Sequence, residues 1–217
     1  MTAVRVKICG LTRPADLAAA AEAGAAYAGF VHFPKSPRHL EADALAALAR
    51  HAPPGLCKVL LTVDAEDARL DALLAAAPID MLQLHGAESP ARVAELRARH
   101  GLPVMKAVGL RDADDLAALV AAARAADQLL IDAKPPAGAD LPGGNGLAFD
   151  WRLLSGRRIA GPWMLAGGLT PETAAEAVRL TGAAQLDVSS GVESAPGVKD
   201  PARIRAFLAA AREAEAA

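Results

Sequence analysis

The chain has 217 residues, which is enough for one sizeable hydrophobic core or two small ones. Hydrophobic residues make up 53% of it, charged residues make up 22%, and the formal net charge is −2, so the composition is globular and shows no electrostatic footprint for nucleic acid. No apolar run reaches the roughly 20 residues of a membrane span, no signal-peptide segment is evident, and the two cysteines are too few for a disulfide framework, so we expect a cytoplasmic protein.

Strand-like and helix-like segments alternate along the whole chain. The strand signals are short runs rich in Val, Ile and Leu that lack clean polar alternation, as expected for strands covered on both faces. They predict strands at residues 4–9, 27–32, 57–63, 79–84, 103–108, 127–132, 163–166 and 185–188. Helices are predicted between them, at residues 14–23, 41–51, 66–77, 88–100, 112–125, 150–155, 171–181 and 201–214. Proline after a capping residue marks three of the helix starts, at Pro90, Pro171 and Pro201.

Eight strand–helix units in this order predict a parallel sheet. The length fits a closed (β/α)8 barrel, the TIM-barrel fold, near its lower size limit of about 200 residues. We therefore predict a single α/β barrel domain over residues 1–217. The alternative is an open, doubly wound sheet, which usually carries a glycine-rich turn after its first strand. Here Gly10-Leu11-Thr12 follows that strand and contains no dinucleotide-binding fingerprint.

Two reactive side chains stand at the carboxyl ends of predicted strands, Cys9 on the first and Asp132 on the sixth. In a parallel barrel both ends lie on the rim where barrel enzymes do their chemistry, so a thiol and a carboxyl over one pocket suggest a base and an acid. Lys7 points to the same strand face as Cys9, and its charge would lower the pKa of the thiol. Cys57 begins its strand, at the opposite end of the barrel, and is predicted to be structural.

Other polar residues also follow predicted strands. Gln83 and His85 end the fourth strand and could line a pocket, although His85 could equally be a surface residue that leads into a helix. Arg38 follows the second strand, where its guanidinium could bind a carboxylate through two parallel hydrogen bonds. The strand-ending Cys, His and Asp residues include no close pair such as H-x-H or C-x-x-C, so no metal site is predicted.

Glycine-rich loops follow the last two strands, with Gly167-Gly168 after the seventh and Ser190-Gly191 after the eighth. Barrels often bind phosphate with these two loops, because glycine lets the backbone approach and free N–H groups attract an anion. The absence of a P-loop favours a sugar phosphate over a nucleotide. The longest irregular segment, residues 134–146, follows the sixth strand. Its place on the rim favours a lid over the simpler alternative of a disordered surface loop.

Together these residues resemble the phosphoribosylanthranilate isomerase family of tryptophan biosynthesis. The resemblance rests on short motifs that occur in a fixed order over nearly the whole chain. They are Lys7-Ile8-Cys9-Gly10-Leu11-Thr12, Gly29-Phe30-Val31, Ser36-Pro37-Arg38, Gln83-Leu84-His85-Gly86, Gly143-Gly144-Asn145-Gly146, Phe149-Asp150-Trp151, Leu165-Ala166-Gly167-Gly168-Leu169 and Asp187-Val188-Ser189-Ser190-Gly191-Val192-Glu193. Two positions depart from the family pattern: Asn145 replaces a more common threonine, and His32 replaces a frequent aromatic residue.

The resemblance implies a cofactor-free (β/α)8 barrel that converts N-(5-phosphoribosyl)anthranilate to 1-(2-carboxyphenylamino)-1-deoxyribulose 5-phosphate. This Amadori rearrangement is an aldose–ketose isomerisation. By the same resemblance Cys9 is the general base, Asp132 is the general acid, and Arg38 holds the anthranilate carboxylate. The expected substrate-binding residues are Lys7, Arg38, Gln83, His85 and Asp187. The expected phosphate-binding residues are Gly144, Gly146, Gly167, Gly168, Ser190 and Gly191.

Three alternatives are open. The histidine-pathway Amadori isomerases resemble this chain in fold and mechanism but have aspartate where it has Cys9. Indole-glycerol-phosphate synthase needs a catalytic lysine and glutamates that cannot be placed here, and a non-catalytic sugar-phosphate-binding barrel could lose Cys9 and Asp132. We therefore expect a small phosphoribosyl substrate, no cofactor, no nucleic-acid or membrane partner, and a monomer or homodimer.

Overall fold

A closed parallel barrel of eight strands forms the centre of the structure, a computed structural model that describes residues 3–136, 138–139, 141, 143–144 and 146–214. Each strand pairs with its neighbours in sequence, and the last strand pairs with the first. The strands are β1 (Arg5–Cys9), β2 (Tyr27–His32), β3 (Cys57–Thr62), β4 (Met81–Leu84), β5 (Val104–Leu110), β6 (Gln128–Ala133), β7 (Trp163–Leu165) and β8 (Gln185–Val188). The predicted fold class is confirmed, and all eight predicted strands are present.

Helices connect the strands and cover the outside of the barrel. Within the described residues the α-helices are α1 (Pro14–Glu22), α2 (Ala42–Arg50), α3 (Asp67–Ala76), α4 (Pro90–His100), α5 (Leu116–Ala123), α6 (Ala174–Thr181) and α7 (Pro201–Glu213). None of these helices has the length and apolar character needed to cross a membrane. Leucine, isoleucine and valine side chains of the strands' outer faces pack against leucines and alanines of the helices, and against Phe207 of α7, to form the main core.

Two predicted helices contain 3₁₀ turns: one is a 3₁₀ turn over its whole length, and the other begins with one. The helix predicted at 150–155 is a single 3₁₀ turn, Trp151–Leu154. It stops where Gly156, with a φ of 68°, turns the backbone out of the helical region. The helix predicted at 112–125 opens with the 3₁₀ turn Ala113–Asp115 before α5 begins.

The helix predicted at 171–181 starts three residues late. Pro171 lies in a turn, and α6 begins at Ala174. The hydroxyl of Thr173 accepts a hydrogen bond from the Thr170 N–H at 2.9 Å, and the Thr170 carbonyl accepts one from the Ala174 N–H at 3.0 Å. A local side-chain bond therefore replaces the first helical turn that the Thr-Pro pair indicates.

Alternate strand residues point into the barrel and fill it in layers. Near the amino ends of the strands, the Tyr27 hydroxyl donates to Gln185 at 2.8 Å and Gln128 donates to the same oxygen at 3.1 Å. Above them, buried methionines and aliphatic side chains close the interior. Polar side chains near the carboxyl ends of the strands therefore stand on a filled core and can face only the rim.

A hairpin that the sequence analysis did not predict follows β8. After the 3₁₀ turn Ser190–Val192, β9 (Glu193–Ala195) pairs antiparallel with β10 (Val198–Lys199). Gly197 makes the turn with a φ of 79°, and a Cβ there would lie 2.5 Å from the Pro37 carbonyl oxygen. The hairpin tip therefore packs directly against the loop after β2.

Candidate active site

One pocket opens at the carboxyl ends of the barrel strands, and most of the predicted site residues line it. Cys9 ends β1, Asp132 lies one residue before the end of β6, and both face this pocket. The other predicted residues that line it are Arg38, His85, Gly144, Gly146, Gly167, Gly168, Asp187 and Ser190. Lys7 and Gln83 are fully buried and do not line it.

A buried ion pair lies beneath Cys9. Lys7 and Asp187 are opposite each other in the register of β1 and β8, and the Lys7 Nζ donates to Asp187 Oδ1 at 2.9 Å. Gly29 of β2 makes room for this group, because a Cβ there would lie 3.0 Å from Cys9 Sγ and 3.1 Å from Lys7 Cε. The absence of a side chain at position 29 thus lets the thiol and the lysine share one strand face.

The electrostatic surroundings of Cys9 differ from those predicted. Burial is the largest influence and raises the pKa of the thiol, while Lys7 and Lys199 lower it and Asp187 raises it. The net pKa lies above the ordinary 9.0, so the prediction that Lys7 yields a low-pKa thiol is wrong, although Lys7 does act in that direction. Burial would lower the pKa of Lys7, but Asp187 and Cys9 outweigh it and raise the net value, so Lys7 stays charged.

Asp132 is held between the backbone and a histidine. Its Oδ1 accepts from the Ala133 N–H at 2.8 Å, and its Oδ2 lies 3.5 Å from His85 Nε2. Gln83 Nε2 lies 2.9 Å from His85 Nδ1 on the far side of the ring. The residues predicted at the end of β4 therefore meet the predicted acid, and Gln83 reaches the pocket only through His85.

Arg38 reaches the pocket as part of a buried charged cluster. Its Nε and Nη2 donate to the two carboxylate oxygens of Glu193, at 2.7 and 2.9 Å. Glu193 Oε1 also accepts from Lys199 Nζ at 2.6 Å. Burial would raise the pKa of Glu193, but Arg38 and Lys199 lower it overall, so the carboxylate stays ionised. Burial lowers the pKa of Lys199, although Glu193 acts in the opposite direction. With Arg38 and Lys199 both protonated the cluster carries a charge of +1, which suits an anionic substrate group.

The sequence analysis missed Glu193 as a functional residue, and Lys199 entirely. Both lie on the unpredicted hairpin, and Lys199 also donates to the Ser189 carbonyl at 3.0 Å. The Ser189 hydroxyl in turn donates to the Cys9 carbonyl at 3.0 Å. Pro196-Gly197 between two short polar–apolar runs is a hairpin signal that could have located both charges.

The two loops predicted to bind phosphate lie side by side on the rim. Gly167 and Gly168 both have positive φ, 82° and 68°, and Ser190 begins the 3₁₀ turn after β8. Gly191 does not line the pocket; a Cβ there would collide with the Leu169 carbonyl, so this glycine lets the two loops pack together.

Part of the loop predicted to be a lid lies over the pocket. A Cβ on Gly143 would lie 2.7 Å from Asp132 Oδ2 and would collide with His85 Nε2. The Gly144 carbonyl lies 3.4 Å from Arg38 Nη2. Four residues of this loop, Ala137, Asp140, Pro142 and Asn145, lie outside the described residues, and they include the Asn145 departure.

Among the described residues, one histidine–carboxylate group has ligand atoms close enough for a metal ion, and it lies away from the pocket. His32, His39 and Glu41 bring ligand atoms within 4.8 Å of one another. The His32 Nδ1 lies 2.8 Å from the Leu40 carbonyl, and Arg69 Nε donates to His32 Nε2 at 2.8 Å. Because a guanidinium already occupies the free lone pair of His32, we assign no metal to this group. His32, the other departure from the family pattern, is buried and belongs to a polar cluster that reaches the surface at Glu41.

The fold and the pocket define a (β/α)8-barrel enzyme with a thiol and a carboxyl in one pocket, beside a pair of glycine loops. The sequence model of the family described as N-(5′-phosphoribosyl)anthranilate (PRA) isomerase matches residues 6–210. The chain belongs to this family, and it is therefore an isomerase of tryptophan biosynthesis, as the resemblance implied.

Individual relatives agree with this assignment. The N-(5′-phosphoribosyl)anthranilate isomerase of Cereibacter sphaeroides is 69% identical over 212 residues, which cover 98% of this chain and 100% of the relative. The crystal structure of phosphoribosyl anthranilate isomerase from Thermotoga maritima is 32% identical, has a TM-score of 0.87, and covers 97% of this chain and 99% of its own. A second similar structure, 30% identical with a TM-score of 0.84 and coverage of 97% of this chain and 99% of its own, is that of phosphoribosyl anthranilate isomerase in complex with reduced 1-(o-carboxyphenylamino)-1-deoxyribulose 5-phosphate.

Proposed function

We propose that this chain rearranges N-(5′-phosphoribosyl)anthranilate by general acid–base catalysis, with Asp132 as the acid and Cys9 as the base. The observation that carries the proposal is that one pocket is lined by both groups, by Arg38 and by the Gly167–Gly168 loop. Each of these groups suits one part of the substrate. The thiol can act on the reacting sugar carbons and the carboxyl on the ring oxygen. The guanidinium can bind the carboxylate, and the glycine loop can bind the phosphate.

Asp132 begins the reaction by giving its proton to the furanose ring oxygen. The anilino nitrogen lone pair forms a double bond to C1′ while the bond between C1′ and the ring oxygen breaks, which leaves an open-chain iminium ion. Asp132 becomes a carboxylate whose Oδ1 already accepts the Ala133 N–H at 2.8 Å. This hydrogen bond stabilises the charge that proton transfer creates.

Cys9 completes the isomerisation by removing the proton from C2′. The electrons of the C–H bond form the C1′–C2′ double bond and neutralise the iminium nitrogen, and the resulting enolamine tautomerises to the ketone. The iminium group of the substrate accepts this electron pair, so the substrate itself supplies the electron acceptor for this step. A positive iminium in a buried pocket also favours the thiolate, which offsets the burial that raises the pKa of Cys9.

Arg38 is proposed to bind the anthranilate carboxylate. Glu193 occupies Nε and one edge of Nη2, so the Nη1 side remains for the substrate. We expect Arg38→Lys to raise KM about 10- to 100-fold with a smaller effect on kcat, because lysine keeps the charge but loses the planar fork and its bond to Glu193. Steady-state kinetics of Arg38→Lys and of a control variant measure KM and kcat. The matched control is Arg111→Lys, at an exposed arginine that follows β5; equal effects in the two variants would contradict the assignment.

The substrate phosphate is proposed to bind at Gly167, Gly168 and Ser190, with Gly144 and Gly146 above them. Position 168 is the sharpest test, because a Cβ there would lie 2.5 Å from the Ala148 Cβ in a backbone with a φ of 68°. We expect Gly168→Val to raise KM about 10- to 100-fold through lost phosphate hydrogen bonds. Part of the phosphate binding energy also positions the sugar, so kcat should fall as well.

The control for this variant is Gly182→Val. Gly182 ends α6 with a φ of 69° and has no atom within 4 Å of an added Cβ, so it carries the same backbone strain away from the pocket. Melting temperatures of both variants measure the cost of strain, and inhibition by inorganic phosphate measures the site. Wild-type phosphate inhibition in Gly168→Val would refute the assignment.

The overall reaction is tested by adding freshly made phosphoribosylanthranilate and following the loss of anthranilate fluorescence. The histidine-pathway substrate, supplied in parallel, tests the principal alternative. Turnover of the second substrate alone would overturn the proposal. A cytoplasmic location, a monomer or homodimer, and independence from cofactors stay predictions; Cys9 and Cys57 are both free thiols, which agrees with a reducing compartment.

A further inference from the structure

Three side chains form a line that ends on the proposed acid. Gln83 is fully buried on β4, and its Nε2 lies 2.9 Å from His85 Nδ1. His85 Nε2, on the other side of the ring, lies 3.5 Å from Asp132 Oδ2. Gln83 does not line the pocket itself; it contacts His85, which does.

The orientation of the glutamine amide assigns the proton on the ring. In this amide orientation the Gln83 nitrogen donates, which makes His85 Nδ1 the accepting, unprotonated nitrogen; the Gln83 Oε1 on the other side of the amide has no hydrogen-bond partner among the described residues. The neutral ring then carries its proton on Nε2, the nitrogen that faces Asp132. His85 is therefore placed to donate a hydrogen bond to the carboxylate.

We propose that Gln83 and His85 are positioning residues for the proposed acid: Gln83 fixes the His85 tautomer, and His85 Nε2–H stabilises Asp132 when it has lost its proton. This inference rests on the proposed function. The 3.5 Å separation shortens when Asp132 becomes negative, because a charged acceptor forms the stronger hydrogen bond. His85 thereby helps Asp132 release its proton to the ring oxygen, and no proton needs to pass along the line.

Groups around the ring keep it in place. Lys106 Nζ donates to the Gly86 carbonyl at 2.7 Å and to Glu88 Oε2 at 2.9 Å, and lies 3.4 Å from the Leu84 carbonyl, so it binds the backbone on both sides of His85. Gly143 lies against His85 Nε2 and Asp132 Oδ2 from above. Gln83 and Asp132 are buried and His85 is half-buried between them, so the line is braced on several sides.

The first test reads the tautomer without any assay of activity. The ¹⁵N resonances of the histidine ring in labelled protein show which nitrogen carries the proton, and the spectrum of His85→Gln identifies the signal among the five histidines. We expect Nε2 protonated and Nδ1 bare in the wild type. In Gln83→Glu the new carboxylate should draw the proton to Nδ1. A wild-type ring protonated on Nδ1 would refute the proposal.

The second test reads the effect on catalysis. We expect Gln83→Glu and His85→Ala to lower kcat about 10- to 100-fold with little change in KM. His85→Gln should recover part of the loss, because its amide can donate in place of Nε2–H. The control for a buried carboxylate is Gln128→Glu, at the opposite end of the barrel. Equal kcat in Gln83→Glu and the wild type would overturn the inference.

A double-mutant cycle separates this inference from the proposed function. If His85 acts through Asp132, His85→Ala should cost little more in an Asp132→Asn background, whereas full additivity would contradict the coupling. Full activity of Asp132→Asn itself would instead refute the acid assignment. The rate–pH profile should also shift in His85→Ala. Other charged groups face His85 and Asp132: around β4 these are Lys106, Glu88 and Asp64, and across the pocket they are Cys9 and the Lys7–Asp187 pair.

Discussion

Replacing Cys9 by alanine is expected to lower kcat by about 10²- to 10⁴-fold, the usual contribution of a general base. The substitution removes the proton acceptor and only one small side-chain atom from a buried position, so the fold should remain. Turnover of phosphoribosylanthranilate, followed by fluorescence, and a melting curve measure the two effects separately.

The control for this variant is Cys57→Ala. Cys57 is the first residue of β3, at the end of the barrel opposite the pocket, and its loss should leave kcat nearly unchanged. The thiolate fraction of the free enzyme grows with pH, and because burial raises the pKa of Cys9 this growth extends to higher pH than for an ordinary thiol. The wild-type rate should rise with it on its ascending limb. Near-wild-type turnover in Cys9→Ala would remove Cys9 from the mechanism.

Asp132→Asn is expected to produce a comparably large fall in kcat, about 10²- to 10⁴-fold, with substrate binding largely kept. Asparagine preserves the size of the side chain and can accept the Ala133 N–H at 2.8 Å, but it has no carboxylic proton to give to the ring oxygen. Steady-state kinetics over a range of pH values measure both the rate and its pH dependence.

The pH profile decides between a chemical and a structural role for Asp132. The proposed mechanism needs a thiolate and a carboxylic proton at the same time, so the wild-type rate should first rise and then fall with pH, and both limbs describe the coupled pair. In Asp132→Asn the falling limb should disappear. A profile that kept both its shape and its height would make Asp132 a structural residue.

The strand ends were predictable from the sequence because all barrel strands point the same way. Once eight apolar runs are recognised, every residue that closes a run must lie on one rim, and this places Cys9, Asp132 and Asp187 together without further information. The glycine loops after β7 and β8 follow from the same argument. Helix starts were less predictable, because at Pro171 a local Thr–Thr hydrogen bond replaces the first turn.

The charged cluster behind Arg38 could not be derived in the same way. The Arg38–Glu193 contact joins residues 155 positions apart, and no periodicity in the sequence relates them. The sign of the Cys9 pKa shift also depended on a comparison that only the packed structure allows, between burial on one side and the charges of Lys7, Lys199 and Asp187 on the other. The sequence around Cys9 shows a charged residue near the thiol, but it does not show how far the fold shields the thiol from water.

The ion pair between Lys7 and Asp187 joins the first strand of the barrel to the last. Its partners are 180 positions apart, so the pair closes nearly the whole chain into one loop, at the seam where the sheet joins its own first strand. The thiol above the pair therefore has its native surroundings only when the first and last strands are paired. On the proposed mechanism, catalytic competence is therefore a property of the closed ring of strands, and an open form with every helix in place would lack it.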